Sequence, residues 1–99
     1  MTIIVPVDSA SADANIVKFL TAENFVEIVL DEENKIKTTN LYTTVDHFFD
    51  TCDYIVVPGN SEDMSEYLEA GIQILMATPG SDIDDIYESF MFRELHELS

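Results

Sequence analysis

Thr2 to Ser9, Thr-Ile-Ile-Val-Pro-Val-Asp-Ser, crowds five apolar residues together and then stops at an acid and a hydroxyl. A run this short and this β-branched has the character of a strand buried on both faces, because a half-exposed strand alternates. Tyr54-Ile55-Val56-Val57 and Ile72-Gln73-Ile74-Leu75-Met76 have the same character. Continuous apolar strands separated by helices suggest a parallel sheet covered on both sides. Ile3 to Val7 is placed at the centre of that sheet.

The rest of the chain supplies the covering layers. Asp8 to Ala14 is small and polar and is read as a loop at the carboxyl end of the central strand, the end where open α/β sheets bind ligands. Asn15 to Thr21 is read as a helical turn or two, with Ile16, Phe19 and Leu20 inward. Phe25 to Leu30, the polar turn Asp31 to Asn34, and Lys35 to Leu41 form a hairpin. Lys35, Lys37 and Thr39 are expected on a wet face, where lysines discourage edge-to-edge aggregation. Val45, Phe48, Phe49 and Cys52 recur at helical spacing behind a cap at Thr43 or Thr44. A second helix, capped by Asn60 or Ser61, buries Met64, Tyr67 and Leu68 and stops at Gly71. Ser81 is expected to cap the third and longest helix, which buries Ile83, Ile86, Tyr87, Phe90 and Met91 and continues toward Leu95 and Leu98. The order is β, hairpin, then α-β-α-β-α, with right-handed crossovers.

Ninety-nine residues, 46% of them hydrophobic, predict one domain spanning residues 1–99. No apolar run approaches a membrane span. The first strand has no basic segment before it, so it is not read as a signal peptide. The single cysteine, Cys52, fits a reducing cytoplasm. Four Lys and Arg face twenty Asp and Glu, a formal charge of −16. Such a surface repels nucleic acid and anionic membranes. It serves solubility, and its functional reading is a basic protein partner.

Candidate chemistry is sparse. Asp8 sits where a ligand approaches, or else satisfies nearby backbone N–H groups. Lys18 either meets an anionic ligand or lies along the surface with its head in water. His47 borders the buried stripe of the first helix, Cys52 closes that stripe as an inert thiol, and His96 lies in the tail with Arg93, where cations suit a helix end. No two of these show metal-ligand spacing, and no metal site is assigned. No nucleophile elbow, P-loop or dinucleotide fingerprint is present. The segment after Val57 is Pro-Gly-Asn, without the acid a two-metal nuclease needs. No enzyme activity is expected.

Several residues, taken in this order, carry a family resemblance. Ile4-Val5-Pro6-Val7-Asp8, the spacing of Phe19, Ala22 and Phe25, the acidic turn running into Lys35-Ile36, Asp53 to Gly59, and Leu68 to Ile72 together resemble the dinitrogenase iron–molybdenum cofactor biosynthesis family. That family contains NifX- and NafY-type carriers and the C-terminal domain of NifB-type proteins. The resemblance covers nearly the whole chain. It implies a ribonuclease-H-like, three-layer α/β fold: a mixed five-stranded sheet, with central parallel strands and an antiparallel hairpin, and three helices. It also implies a small non-enzymatic accessory protein, and, as in some members, an iron–sulfur or molybdenum-containing cluster as cargo. Asp8, Ser9, Lys18, Thr44 and His47 are then the candidate ligand-binding residues. The departures are specific. In the family's His-Phe-Gly-Arg-Ala motif, Lys18 stands for the histidine, Leu20 for the glycine and Thr21 for the arginine. The loop Asn40 to Thr44 has none of the family's glycines. A divergent member that has lost cluster binding and acts by protein contact, as a regulator or a homodimer, is the alternative.

Overall fold

The opening run is β1 (Thr2–Val7), and Ile3 through Val7 are all buried. The computed structural model describes residues 1–11, 13–47, 50–59 and 62–97, with the backbone alone described at residue 47. β1 pairs antiparallel with β2 (Asn24–Leu30), and β2 pairs antiparallel with β3 (Ile36–Tyr42). On its other side β1 runs parallel to β4 (Tyr54–Pro58), and β4 runs parallel to β5 (Gln73–Ala77). A short β6 (His96–Glu97) closes the far edge against β5, giving a six-stranded sheet in the order β3-β2-β1-β4-β5-β6. The three apolar runs therefore lie side by side and parallel, with the hairpin on one flank.

Both faces of the sheet are covered, as its continuous apolar strands require. Alternate residues turn to opposite sides. Ile3, Val5, Val7, Val56 and Leu75 pack with Ile86 of α2 (Ile83–Met91), flanked by Tyr87 and Phe90. Ile4, Ile55, Val57 and Ile74 pack on the other side with Met64 and Tyr67 from the start of α1 (Ser65–Glu69) and with Phe19. The Phe19 ring meets Phe25 at 5.2 Å and Tyr67 edge-on at 5.0 Å. The α/β architecture read from the sequence thus stands.

Its count of elements needs correction. The sheet has six strands instead of five, and among the described residues there are two α-helices instead of three. Where a helix was expected from Val45 to Cys52, the structure has a 3₁₀ turn, Val45–His47. β-branched Thr43, Thr44 and Val45 start an α-helix poorly; Phe48 and Phe49 lie outside the described residues. The Asn15–Thr21 segment forms only a 3₁₀ turn, Phe19–Thr21; Leu20 is exposed, and Ile16 is buried by bridging to Val7. α1 starts after Met64, and the expected caps Asn60 and Ser61 lie outside the described residues. Leu68 and Met91, expected inside, are exposed.

α2 is capped by Asp82, whose side chain accepts the Asp85 N–H at 2.8 Å. Ser81, the expected cap, belongs to the preceding turn and gives both its N–H and its hydroxyl to the Thr78 carbonyl. At the far end Arg93 adopts φ 57°, and Arg93 and Glu94 donate to the Phe90 and Ser89 carbonyls. This left-handed stop reverses the chain. His96, expected near a helix end, therefore sits in edge strand β6 opposite Met76. Leu95 packs partly against the α2-side core, and Leu98 lies outside the described residues.

Candidate functional site

Because β1, β4 and β5 are parallel, their carboxyl ends share one edge of the sheet, where Asp8, Gly59 and Thr78 follow the strands. The hairpin register sets Pro6 opposite Phe25 and Phe25 opposite Tyr42, so the segment entering Thr44 reaches the same edge. Asp8, Ser9, Lys18 and Thr44 are all brought to this edge and are all exposed.

Each has a definite local setting. The Asp8 N–H donates to the Asn15 carbonyl, and the Asp8 carboxylate accepts the Asn15 N–H at 3.1 Å, which closes the Asp8–Ala14 loop. From there Ile16 packs on the α2 side of the sheet, while Phe19 packs on the α1 side. Lys18 stands at that crossover, next to the Phe19–Thr21 turn. The free N–H groups of Phe19 and Leu20 are taken by the two carboxylate oxygens of Glu62, at 2.9 and 2.8 Å. Thr44 precedes the turn Val45–His47, whose Val45 packs on the α1 side. The side chain of His47 lies outside the described residues.

A cavity of about 410 Å³ opens beyond the ends of β4 and β5, lined by Gly59, Thr78, Ser81, Ser89, Glu94 and His96 among others. A second polar group lies under the hairpin. Glu27, only 8% exposed, accepts from Asn40 Nδ2 at 2.9 Å and from the Tyr42 hydroxyl at 3.4 Å. Burial, then the Glu27 charge, raises the Tyr42 phenol above its ordinary value. Cys52 lies in the same layer, and burial pushes its thiol up to about 11, where it is a poor metal ligand at neutral pH. Among the described residues no three His, Cys, Asp or Glu side chains gather to hold a metal ion. Neither Glu27 nor Glu62 is marked out by its sequence neighbours, since their partners lie 13 to 43 residues away.

No family model and no curated protein matches the chain. Solved structures do. A dinitrogenase candidate from Methanocaldococcus jannaschii is 21% identical with a TM-score of 0.79, over 100% of this chain and 95% of that one. A NifB candidate from Thermotoga is 15% identical with a TM-score of 0.77, over 98% of this chain and 92% of that one. The orange protein of Desulfovibrio gigas, in its apo form, is 12% identical with a TM-score of 0.75, over 99% of this chain and 92% of that one. The chain has the fold of these proteins. The dinitrogenase-type resemblance read from its residues is therefore borne out by structures that match end to end, and at these identities what is shared is the fold.

Proposed function

We propose that the chain is a divergent, ribonuclease-H-like member of the NifX-type accessory proteins, which binds an iron–sulfur or molybdenum-containing cluster as cargo and passes it on without turnover. The observation that carries this reading is the end-to-end likeness to a dinitrogenase candidate and a NifB candidate at TM-scores of 0.79 and 0.77. The cargo would be held at the carboxyl edge by Asp8, Ser9, Lys18, Thr44 and His47. Within this set Lys18 is the group that meets an anionic cluster by charge, and Ser9 and Thr44 add hydrogen bonds; thiolate ligation finds no support, because Cys52 is buried and keeps its proton. The same fact favours a second reading, a module that has given up the cluster and works by protein contact.

The discriminating experiment is anaerobic mixing with an isolated cluster, followed by gel filtration. Coelution of visible absorption with the protein supports the carrier, and Lys18→Ala should then lose most of that colour. Colour retained in Lys18→Ala refutes the site assignment. A protein that elutes colourless refutes the carrier and leaves the contact module.

A further inference from the structure

We propose that a second pocket, at the amino edge of the sheet, binds a free α-amino acid with an apolar side chain. The reversal after α2 makes this pocket. Arg93 takes φ 57°, and the chain turns back to lay β6 along β5, with Glu97 opposite Leu75. A cavity of about 340 Å³ is left between the end of α2, β6 and the starts of β4 and β5, a volume at the small end of the range for ligand sites. Its floor is apolar. Leu75 is buried, Phe90 and Leu95 are partly buried, and the Phe90 ring meets Tyr54 edge-on at 5.3 Å. Asp8 and Thr44 lie at the opposite edge, so occupancy here and cluster binding there can fail separately.

Charge selects the ligand. Arg93, Glu97 and the Met1 amine are the charged groups on the wall, and the amine is engaged by the Leu30 carbonyl at 3.3 Å. Their charged neighbours go elsewhere: Glu94 and His96 line the cavity at the carboxyl edge, and Lys35 pairs with Glu33. Arg93 and Glu97 thus bring opposite charges to one apolar pocket, and among the described residues neither forms an ion pair. A ligand with a carboxylate and an ammonium on one carbon satisfies both. Arg93 offers its planar fork to the carboxylate, Glu97 accepts from the ammonium, and the ligand's side chain covers Leu75, Phe90 and Leu95. The backbone points to the same place. Gly59, Gly71 and Gly80 hold left-handed turns; among the described residues the others at positive φ are Asn34 and Arg93, and both line this pocket. Asparagine is tolerated there, but an arginine is at a disadvantage to glycine. A cation suits a helix end, yet one turn earlier it would do so without the unfavourable φ.

The test is an NMR titration of the full, ¹⁵N-labelled chain with L-phenylalanine, beside glycine, phenethylamine and 3-phenylpropionate. L-phenylalanine should give saturable shifts at Gln73, Leu75 and the amides of residues 91–97, with a Kd of about 1 mM or below. Glycine should give none. Each singly charged analogue should bind roughly three- to fivefold more weakly, the scale of one exposed ion pair. Arg93→Gly, which suits a left-handed position, should keep the native spectrum and bind phenethylamine as well as it binds phenylalanine. Glu97→Gln, at an exposed edge position, should do the same for 3-phenylpropionate, and it carries the test alone if the turn variant unfolds. Absence of saturation, equal binding of glycine, a preference unchanged by Glu97→Gln, or shifts centred on the carboxyl edge overturn the proposal.

Discussion

Cys52 packs with Ile4, Ile55 and Tyr67, and that burial raises its thiol to about 11; its own backbone hydrogen bond opposes the rise, and the Asp53 and Glu27 charges add to it. A thiol in an unfolded chain loses its proton near pH 8.5. The folded form keeps its proton longer, so the stability this contributes is fully present below about pH 8.5 and is lost as pH rises toward about 11. Alkylation by iodoacetamide at pH 8 should accordingly be slow in the native protein and fast in urea. Equal rates would mean that Cys52 is open to solvent and available as a ligand. Glu62 presents a different case, since its two oxygens hold the Phe19 and Leu20 N–H groups across more than forty residues of chain. Glu62→Ala leaves both donors without that acceptor and should cost about 1–3 kcal/mol in urea unfolding. Faster exchange at the Phe19 and Leu20 amides, with the sheet amides unchanged, would locate the loss at this latch. Asp63 is held below the ordinary carboxylate range by the Ser65 hydroxyl and the Ser65 N–H. Ser65→Ala should move its titration upward in an NMR pH series, and an unmoved midpoint would count against the hydroxyl as the main cause.

At the scale of elements, α2 depends on its Asp82 cap. Asp82→Ala should cost about 1 kcal/mol, while Ser81→Ala, outside the helix, should leave α2 intact; the opposite ranking in thermal unfolding would reinstate the serine. Composition alone places a hydroxyl and an acid side by side, and only the turn bonds from Ser81 to Thr78 decide between them. The same limit applies across the chain. β1, β4 and β5 are legible because continuous apolar runs have few alternatives to a doubly covered sheet. Pro6, unusual inside a strand, is accommodated because the ladder between β1 and β4 is formed at Ile3 and Ile4, before it. β6 spans two residues, too few to show a period, and it exists because Arg93 takes a left-handed conformation that a non-glycine residue seldom signals. The bulge beside Leu30 shifts Ile36 to the other face, a choice that alternation cannot reveal. For the candidate site, the carboxyl edge and the approach of Asp8, Lys18 and Thr44 to it follow from strand order. Glu27 and Glu62 find their partners only through tertiary packing.

The whole molecule is a small body, 29 × 26 × 25 Å, carrying twenty carboxylates against four cationic side chains. At about 0.01 M salt the screening length is roughly 30 Å, which is the size of the molecule, so acids on opposite faces repel one another through the full width of the fold. At about 0.1 M it falls to roughly 10 Å, and only near neighbours still interact. Favourable pairs do little to offset this, for the Lys35–Glu33 contact at 3.5 Å joins two side chains more than 70% exposed, and exposed pairs contribute little. Unfolding lets the carboxylates separate, which relieves the repulsion, so folding is the state that low salt penalises. Raising sodium chloride from about 0.01 M to about 0.3 M should therefore stabilise the protein by roughly 1 kcal/mol, which for a chain of this size moves Tm by about 4–8 °C. The sign matters more than the size. A chain held together by exposed ion pairs would lose Tm over the same range. A flat response would mean that the acids are too evenly spaced for repulsion to reach the folding equilibrium, and charge would then act only on encounters with other molecules.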